Sequence, residues 1–357
     1  MAKVLLPGLS NSAFAHPLDI SSFEELSKAP MISQFINTLV KYLSEVPAFV
    51  ELYSSAVRVT DKNYSRIHQS LLEACQILDM SPPDLFVQNS YHTNAYAIGI
   101  ENPSIILTTS LIDILNEAEL QSVIAHELGH IKARHIFYHI LVRMTTSLGA
   151  DFVRKIFPAQ AALVTTGLST LFLSHMRKCE LTADRASLLV VQDPDVIVSC
   201  CMKLAGGCIN SKHKLSTDEF LVQGKSLEGL LYDSEYASLL FWLKTISRTH
   251  PLPVPRASLA HKFGESQTFF NILDGNYKKY ELKECMNCKN ETSITNKTCP
   301  HCLAKFGKQF LNDLIYCKVC DNAINRAEYD HAEMRFCPDC GSDMMGGQNL
   351  LNKYGWI

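Results

Sequence analysis

Apolar residues recur every three or four positions in several segments of this chain, which is the period of a helix with one buried face. Helix-forming residues dominate 23–43, and the pattern is clear over 61–80, where it ends just before Pro82 and Pro83. The later predicted helices span 116–131, 177–191 and 196–206. Three short apolar and β-branched runs predict strands at 85–88, 95–98 and 105–108.

This order of elements predicts an α+β fold in which several helices pack beside one small sheet. We expect a helical N-terminal extension over residues 1–60, a main domain over 61–275, and two small modules over 281–345. The segment 275–280 is the expected linker before the small modules.

The composition is that of a globular protein, because 47% of the 357 residues are hydrophobic and the formal net charge is only −3. The N-terminus has no long apolar stretch followed by a cleavage site, so we expect no signal peptide. The unpaired cysteines fit a reducing compartment. These features together predict a cytoplasmic protein.

The most specific chemistry lies in the run His126-Glu127-Leu128-Gly129-His130. Residues four apart share one face of a helix, so both imidazoles can bind one metal ion. Glu127 projects beside this face, where it can act as a general base toward a metal-activated water. Asn116 and Glu119 predict a capping box at the start of the same helix.

Glu180 and Asp184 complete the predicted site, and they are also four apart on a predicted helix. We assign Glu180 as the third metal ligand and Asp184 as the carboxylate that orients a ligand imidazole. Two imidazoles and one carboxylate are typical of a catalytic zinc ion with an open fourth position. The structural alternative is a solvated pair of acidic residues on a helix face.

Two histidines after this run require a separate interpretation. His135 and His139 are again four apart. On a continuous helix, His135 would lie about 140° around the axis from His130. We therefore expect both to be polar or interfacial residues rather than a second metal site.

The motifs occur in a recognisable order along residues 75–262. The segments 94–99 and 105–111 precede the metal-binding helix, and Arg248-Thr-His-Pro251 follows the Glu180 helix. In this order the chain resembles HtpX-type and CAAX-prenyl-protease-type zinc peptidases. The resemblance implies a mostly helical, zincin-like domain that hydrolyses peptide bonds, with zinc on His126, His130 and Glu180 and with Glu127 as the base.

The resemblance also implies roles that the spacing alone does not indicate. His250 would donate a hydrogen bond to the developing oxyanion. Arg256 would anchor the loop around His250 by bonding a carboxylate or backbone carbonyls. An edge strand would bind an extended substrate as one more strand, through Asn94, Ala95, Tyr96 and Ala97.

A membrane span is the main alternative to a fully packed chain. The best candidate is the uncharged stretch 156–174, but its proline, glycine and hydroxyl residues weaken it as a span of about 20 apolar residues. We expect this stretch and 136–150 to form an internal helical pair near the active site. Association with a membrane surface remains the alternative.

Eight of the thirteen cysteines form four Cys-x-x-Cys motifs, which are Cys285/Cys288, Cys299/Cys302, Cys317/Cys320 and Cys337/Cys340. Two such motifs make one tetrahedral thiolate site, so we predict two zinc ribbons and two structural zinc ions besides the catalytic one. Zinc is favoured over disulfides, and pairing in sequence order is favoured over interleaved pairing.

The charge of the ribbons bears on their partner. From residue 281 onward there are nine Lys or Arg and ten Asp or Glu, which argues against a nucleic-acid surface. A protein partner, or the main domain itself, is therefore expected.

The sequence predicts a zinc endopeptidase acting on extended or unfolded protein. The alternative is an adaptor with a latent peptidase fold and partner-binding ribbons.

Overall fold

The fold was described from a computed structural model. The structure describes residues 3–27, 45–100, 102–140, 169–206, 215–234, 236–238, 241, 252–306, 314–316 and 323–325. The helices are α1 (Asn11–Phe14), α2 (Pro17–Ser27), α3 (Val46–Ser55), α4 (Ser65–Ile77), α5 (Thr109–Ile114), α6 (Glu117–Lys132), α7 (Ser169–Val191), α8 (Pro194–Gly206), α9 (Thr217–Asp233), α10 (Pro253–Gly264) and α11 (Gln267–Leu273). The strands are β1 (Ala56–Arg58), β2 (Asp84–Gln88), β3 (Ala95–Ile98), β4 (Ser104–Thr108), β5 (Leu282–Glu284), β6 (Glu291–Ser293), β7 (Leu314–Tyr316) and β8 (Ala323–Asn325). The predicted α+β class is confirmed.

The main sheet has four strands in the order β1-β2-β4-β3. β2 and β4 are parallel, and β1 and β3 run antiparallel to them at the two edges. The three predicted strands are thus present, and β1 is an additional one that follows α3 directly. Every residue of β4 is buried, because the strand lies between two neighbours and is covered on both faces.

Helix α6 runs through the centre of the core and is buried from Glu119 to His130 except at Val123. The predicted capping box is present, since Asn116 accepts from the Glu119 amide at 2.9 Å and Glu119 accepts from the Asn116 amide at 2.8 Å. Glu119 also accepts from Ser199 and pairs with Lys203 on α8, each at 2.6 Å. The start of α6 is therefore fixed both locally and by its neighbour.

Helices α6 and α7 approach each other at Gly129. A Cβ atom on Gly129 would lie 2.8 Å from the Cβ of Ala186 and 3.0 Å from the Cα of Ala183. Close packing of this kind requires small side chains on both helices. The contact brings the Glu180 turn of α7 against the histidine face of α6.

The first cysteine-rich module is built from the hairpin β5–β6 and two Cys-x-x-Cys turns. Lys289 and Leu303 directly follow these turns, and both have left-handed backbone conformations, with φ of 63° and 62°. The shared conformation indicates one knuckle geometry used twice. β7 and β8 pair as a second hairpin, but Cys317, Cys320, Cys337 and Cys340 lie outside the described residues.

The first module is held to the rest of the protein by Asp79, a buried residue that follows α4. The Asp79 carboxylate accepts from the Thr292 hydroxyl at 2.7 Å, the Ser293 amide at 2.9 Å and the Asn296 amide group at 3.0 Å. It also accepts from the Gly8 amide at 2.7 Å. One carboxylate thus joins α4, the N-terminal segment and the first ribbon.

The expected linker at 275–280 also takes part in this attachment. Lys279 forms a β-bridge with Leu9, and the Tyr280 amide donates to the Gly8 carbonyl at 2.7 Å. Leu6, Leu9 and Phe14 are buried in the same hydrophobic cluster as α4 and α6. The division into three domains stays a prediction.

Among the described helices, none is long and apolar enough to cross a membrane. Most of the predicted helical pair at 136–150 and 156–174 lies outside the described residues.

We predict that Gly129→Ala lowers the free energy of unfolding by about 1–3 kcal/mol, because the added methyl group overpacks the contact between α6 and α7. Gly229→Ala is the matched control, since Gly229 lies in α9 with no atom near the position of an added Cβ. That change should stabilise the helix by about 0.5–1 kcal/mol. Chemical denaturation of both variants measures the difference, and equal stability of Gly129→Ala and the wild type would contradict the packing argument.

Candidate metal centre

Three side chains from α6 and α7 converge in the interior of the protein. The Nε2 atoms of His126 and His130 lie 3.2 Å apart, and each lies 3.3 Å from a carboxylate oxygen of Glu180. Glu180 has no exposed surface, and both imidazoles are buried. The predicted ligands are therefore brought together by two helices that meet at Gly129.

The spacing of these atoms fits one zinc ion. Zinc binds imidazole nitrogen and carboxylate oxygen at about 2.0–2.2 Å in tetrahedral sites, so neighbouring ligand atoms are separated by about 3.3–3.5 Å. The observed separations of 3.2 and 3.3 Å agree with that value. One protein carboxylate and two imidazoles leave the fourth position for water or substrate.

Asp184 and Arg256 lie directly behind His126. The Nδ1 atom of His126 is 3.0 Å from an Asp184 carboxylate oxygen. Arg256, on α10, donates to both oxygens of Asp184 at 2.9 and 2.6 Å and lies 3.4 Å from Glu180. Asp184 thus contacts a ligand imidazole, and Arg256 bonds a carboxylate as the resemblance implied.

This contact keeps Asp184 ionised despite its burial. Burial alone would raise the pKa of Asp184, but the Arg256 guanidinium lowers it to about 2. Burial alone would lower the pKa of Arg256, but Asp184 and Glu180 raise it well above its usual value. The carboxylate can therefore accept the Nδ1 proton of His126 and leave Nε2 to face the metal position.

The two imidazoles differ in their affinity for protons in the metal-free protein. Burial lowers the pKa of His130 to about 3, although Glu180 opposes this shift. Burial and Arg256 also act to lower the pKa of His126, but Asp184 and Glu180 outweigh them and raise it to about 9. The carboxylates around His126 thus favour its protonated form, whereas burial favours the neutral form of His130.

Glu127 and the predicted substrate strand lie next to these ligands. Glu127 is buried on α6, one position from His126. β3 lies beside α6 and, among the described strands, pairs only with β4. Ala95 and Ala97 face the core on the α6 side, while Tyr96 packs on the opposite face of the sheet.

Asn94 precedes β3 and exchanges hydrogen bonds with Thr108 at the end of β4. The Asn94 amide donates to the Thr108 hydroxyl at 2.9 Å, and the Asn94 carbonyl accepts from the Thr108 amide at 3.1 Å. The start of the edge strand is thereby fixed. His250, the predicted oxyanion donor, lies outside the described residues.

His135 is not among the described side chains grouped with His126, His130 and Glu180 as possible metal ligands, but it lies closer to them than its predicted position implied. α6 ends at Lys132, and Arg134 adopts a left-handed conformation with φ of 63°. The chain reverses there, so His135 returns to His130 and their Nδ1 atoms lie 3.0 Å apart. The estimate of 140° assumed a continuous helix, and the helix ends before His135. The short spacing between His130 and His135 was the only feature of the sequence that could have indicated this contact.

The first two cysteine motifs also converge. The sulfur atoms of Cys285 and Cys302 lie 3.7 Å apart, as do those of Cys288 and Cys299. Zinc–sulfur bonds of about 2.3 Å in a tetrahedral site separate neighbouring sulfurs by about 3.8 Å. These four thiols therefore fit one structural zinc ion, from motifs adjacent in sequence.

The chain is similar to known metallopeptidases over most of its length. Residues 61–262 match Peptidase family M48. Plastoglobule-localized metallopeptidase 48 of Arabidopsis thaliana, a chloroplastic protein, is 37% identical over 276 residues, or 76% of this chain and 77% of that protein. No solved structure matches the chain.

Two microbial relatives match shorter regions. Protease HtpX homolog 2 of Methanosarcina mazei is 25% identical over 169 residues, or 42% of this chain and 58% of that protein. A protease HtpX homolog of Caldanaerobacter subterraneus is 33% identical over 95 residues, or 26% of this chain and 32% of that protein. In both cases less than two thirds of the relative is covered.

We predict that Glu180→Ala removes one zinc-binding step from the full-length protein, because two imidazoles remain where three ligands converged. The affinity loss should exceed the roughly 10- to 100-fold typical of residues that only support a ligand. Glu228→Ala is the matched control, since Glu228 is an exposed carboxylate paired with Lys262 on the surface. Zinc content measured against buffered free zinc tests both, and an unchanged curve for Glu180→Ala would remove it from the ligand set.

Proposed function

The chain belongs to Peptidase family M48 and is a zinc metalloprotease, and we propose that it is an endopeptidase acting on extended or unfolded protein. The resemblance in the sequence predicted both the family and the enzyme class. The observation that carries this proposal is the convergence of His126, His130 and Glu180 at separations that suit one zinc ion. The ligand set, the neighbouring Glu127 and the edge strand β3 all support hydrolysis of a peptide.

In the proposed reaction, zinc supplies Lewis-acid activation of a water molecule and of the scissile carbonyl when it is bound. Glu127 takes a proton from the attacking water while the water oxygen forms a bond to the carbonyl carbon. Glu127 then delivers the proton to the leaving amine as the carbon–nitrogen bond breaks. Asp184 and Arg256 hold the His126 ring so that its Nε2 remains directed at the metal position.

We assign substrate binding to β3. Among the described strands β3 pairs only with β4, so it is an edge strand that can add an extended peptide through its backbone, and Ala95 and Ala97 have small side chains. A peptide added there lies beside α6, which carries the metal ligands. A folded segment does not present its backbone in this way, so unfolded or extended regions are the preferred substrates. His250 is proposed to donate to the oxyanion.

We propose that the ribbons carry two structural zinc ions, giving three zinc ions per chain. Sites closed by four thiolates stabilise small modules that bury little apolar surface. The hydrogen bonds that the first ribbon donates to Asp79 support an internal role for that module. The second ribbon is the part proposed to bind a protein partner, and the adaptor hypothesis differs in requiring no cleavage at all.

The location of the chain is a separate proposal. The sequence predicts a cytoplasmic protein, peripheral to a membrane in the alternative. The Arabidopsis relative is named for plastoglobules of the chloroplast, so location within this family is not restricted to the cytoplasm. For this chain the cytoplasmic assignment stays a prediction.

We predict that Glu127→Gln lowers the rate of casein cleavage by on the order of 100- to 10,000-fold, because an amide cannot accept the proton of water. Zinc content and thermal stability should be unchanged. Glu117→Gln is the control, since Glu117 lies on the same helix but is exposed and paired with Arg66.

Gel analysis of casein incubated with the three proteins gives the result. Cleavage by the wild type and Glu117→Gln alone supports the endopeptidase. Equal cleavage by Glu127→Gln would remove Glu127 as the base, and no cleavage by any of the three would favour the adaptor hypothesis.

A further inference from the structure

A row of buried polar side chains leads from the metal centre into the N-terminal segment. The Nδ1 atoms of His130 and His135 lie 3.0 Å apart, and the Nε2 atom of His135 lies 3.1 Å from a carboxylate oxygen of Asp19 on α2. All three residues are at most 6% exposed. The row therefore connects residues 116 positions apart through side chains that are almost wholly buried.

With His130 acting as a metal ligand through Nε2, one arrangement of protons satisfies every contact in this row. When the Nε2 atom of His130, which faces Glu180 and His126, serves as a metal ligand, the neutral ring carries its proton on Nδ1. That proton is donated to Nδ1 of His135, which must then carry its own proton on Nε2. The His135 Nε2 proton is in turn donated to Asp19, which accepts it as a carboxylate.

Asp19 is itself held in place by α7. The Thr182 hydroxyl donates to the same Asp19 oxygen at 2.6 Å, and the Cys179 thiol donates to the other oxygen at 3.4 Å. Burial would raise the pKa of Asp19, but His135, His175 and Thr182 hold it well below its usual range. Asp19 is therefore a fixed, ionised acceptor.

The row has a counterpart on the other ligand imidazole. Asp184 contacts Nδ1 of His126 directly at 3.0 Å, whereas Asp19 reaches His130 through the ring of His135. Each ligand histidine is thus supported by a carboxylate behind it. Such outer partners fix which ring nitrogen is protonated, orient the ring, and increase the basicity of the ligand nitrogen.

We propose that His135 and Asp19 are positioning residues for the catalytic metal ion, and that the N-terminal helix α2 thereby forms part of the metal site. The inference rests on the proposed role of His130 as a ligand. Asp19 orients the ring of His135, His135 orients the ring of His130, and neither touches the metal or the substrate.

A second metal ion is the competing explanation for Asp19. Asp19, His175 and Cys179 offer ligand atoms within 4.8 Å of one another, and Cys179 lies 3.4 Å from each of the other two. The hydrogen bonds already account for these contacts, because the thiol donates to Asp19 and Ser22 binds the His175 ring at 2.7 Å. The experiment below separates the two explanations.

The experiment measures the zinc content of the full-length protein against buffered free zinc. The zinc-binding step of the catalytic site is identified as the one that Glu180→Ala removes. Asp19→Asn should shift this step to 10- to 100-fold higher free zinc, which is typical for loss of an outer partner of a zinc ligand. The amide can still accept from His135, but it lacks the negative charge, so His130 loses the increase in basicity that the carboxylate supplies through His135.

Asp79→Asn is the matched control. Asp79 is another buried carboxylate that binds the N-terminal segment, through the Gly8 amide. Its bond to α6 is made by its backbone carbonyl, which accepts from Lys132 and which the substitution retains. Asp79→Asn should lower the melting temperature and leave the catalytic zinc step in place. A shift in Asp19→Asn alone supports positioning rather than a general loss of stability.

Two variants of His135 keep the test decisive if Asp19→Asn does not fold. His135→Gln retains one acceptor and one donor, whereas His135→Leu retains neither. The proposal expects zinc affinity close to the wild type for the glutamine variant and a 10- to 100-fold loss for the leucine variant. Of these two variants, only His135→Leu should alter the absorption spectrum of cobalt(II) bound at the catalytic site.

Three results would overturn the inference. If Glu180→Ala removes the step and Asp19→Asn leaves it unshifted, the ligand set stands and the positioning role fails. If Asp19→Asn and Cys179→Ser remove the same equivalent of zinc, and that equivalent is not the one lost in Glu180→Ala, Asp19 binds a second metal ion. If Glu180→Ala removes no step, the proposed metal site fails together with the inference.

Discussion

The close contact between α6 and α7 at Gly129 is the constraint on which the metal centre depends. His126 and His130 can share one face of a helix by spacing alone, but a third ligand must come from another element. Because Gly129 has no side chain, Ala183 and Ala186 approach the backbone of α6, and the turn that carries Glu180 comes within 3.3 Å of both imidazoles. The metal ligands are therefore a consequence of helix packing, and the packing is a consequence of small residues at three positions.

Burying several charged groups around this contact is costly unless each has a partner. Arg256 and Asp184 form a bidentate pair behind His126, and Glu180 lies 3.4 Å from the same guanidinium. On the other side, Asp19 accepts from His135 and Thr182. Both ligand rings are thus fixed before a metal ion binds, which limits the reorganisation needed at the moment of binding. The elements that supply these partners are α2, α7 and α10, so the centre requires most of the fold.

The local part of this arrangement could be predicted from the sequence, and the long-range part could not. The capping box of Asn116 and Glu119 and the paired positions on α6 and α7 depend on helical spacing, which is visible along the chain. The position of His135 depends on where α6 ends and on the left-handed conformation of Arg134. The partnership with Asp19 joins residues 116 positions apart, and no local pattern indicates it. Similarly, nothing around Asp79 predicts that its carboxylate binds the first ribbon.

The central claim is that His126, His130 and Glu180 bind one zinc ion beside Glu127. The most direct test is a crystal structure of the zinc-loaded, full-length protein with anomalous diffraction recorded on both sides of the zinc absorption edge. The account predicts an anomalous peak within about 2.0–2.2 Å of Nε2 of His126, Nε2 of His130 and a carboxylate oxygen of Glu180. It would be contradicted by a zinc-loaded crystal with no peak between α6 and α7, or by a peak bound instead by Asp19, His175 and Cys179.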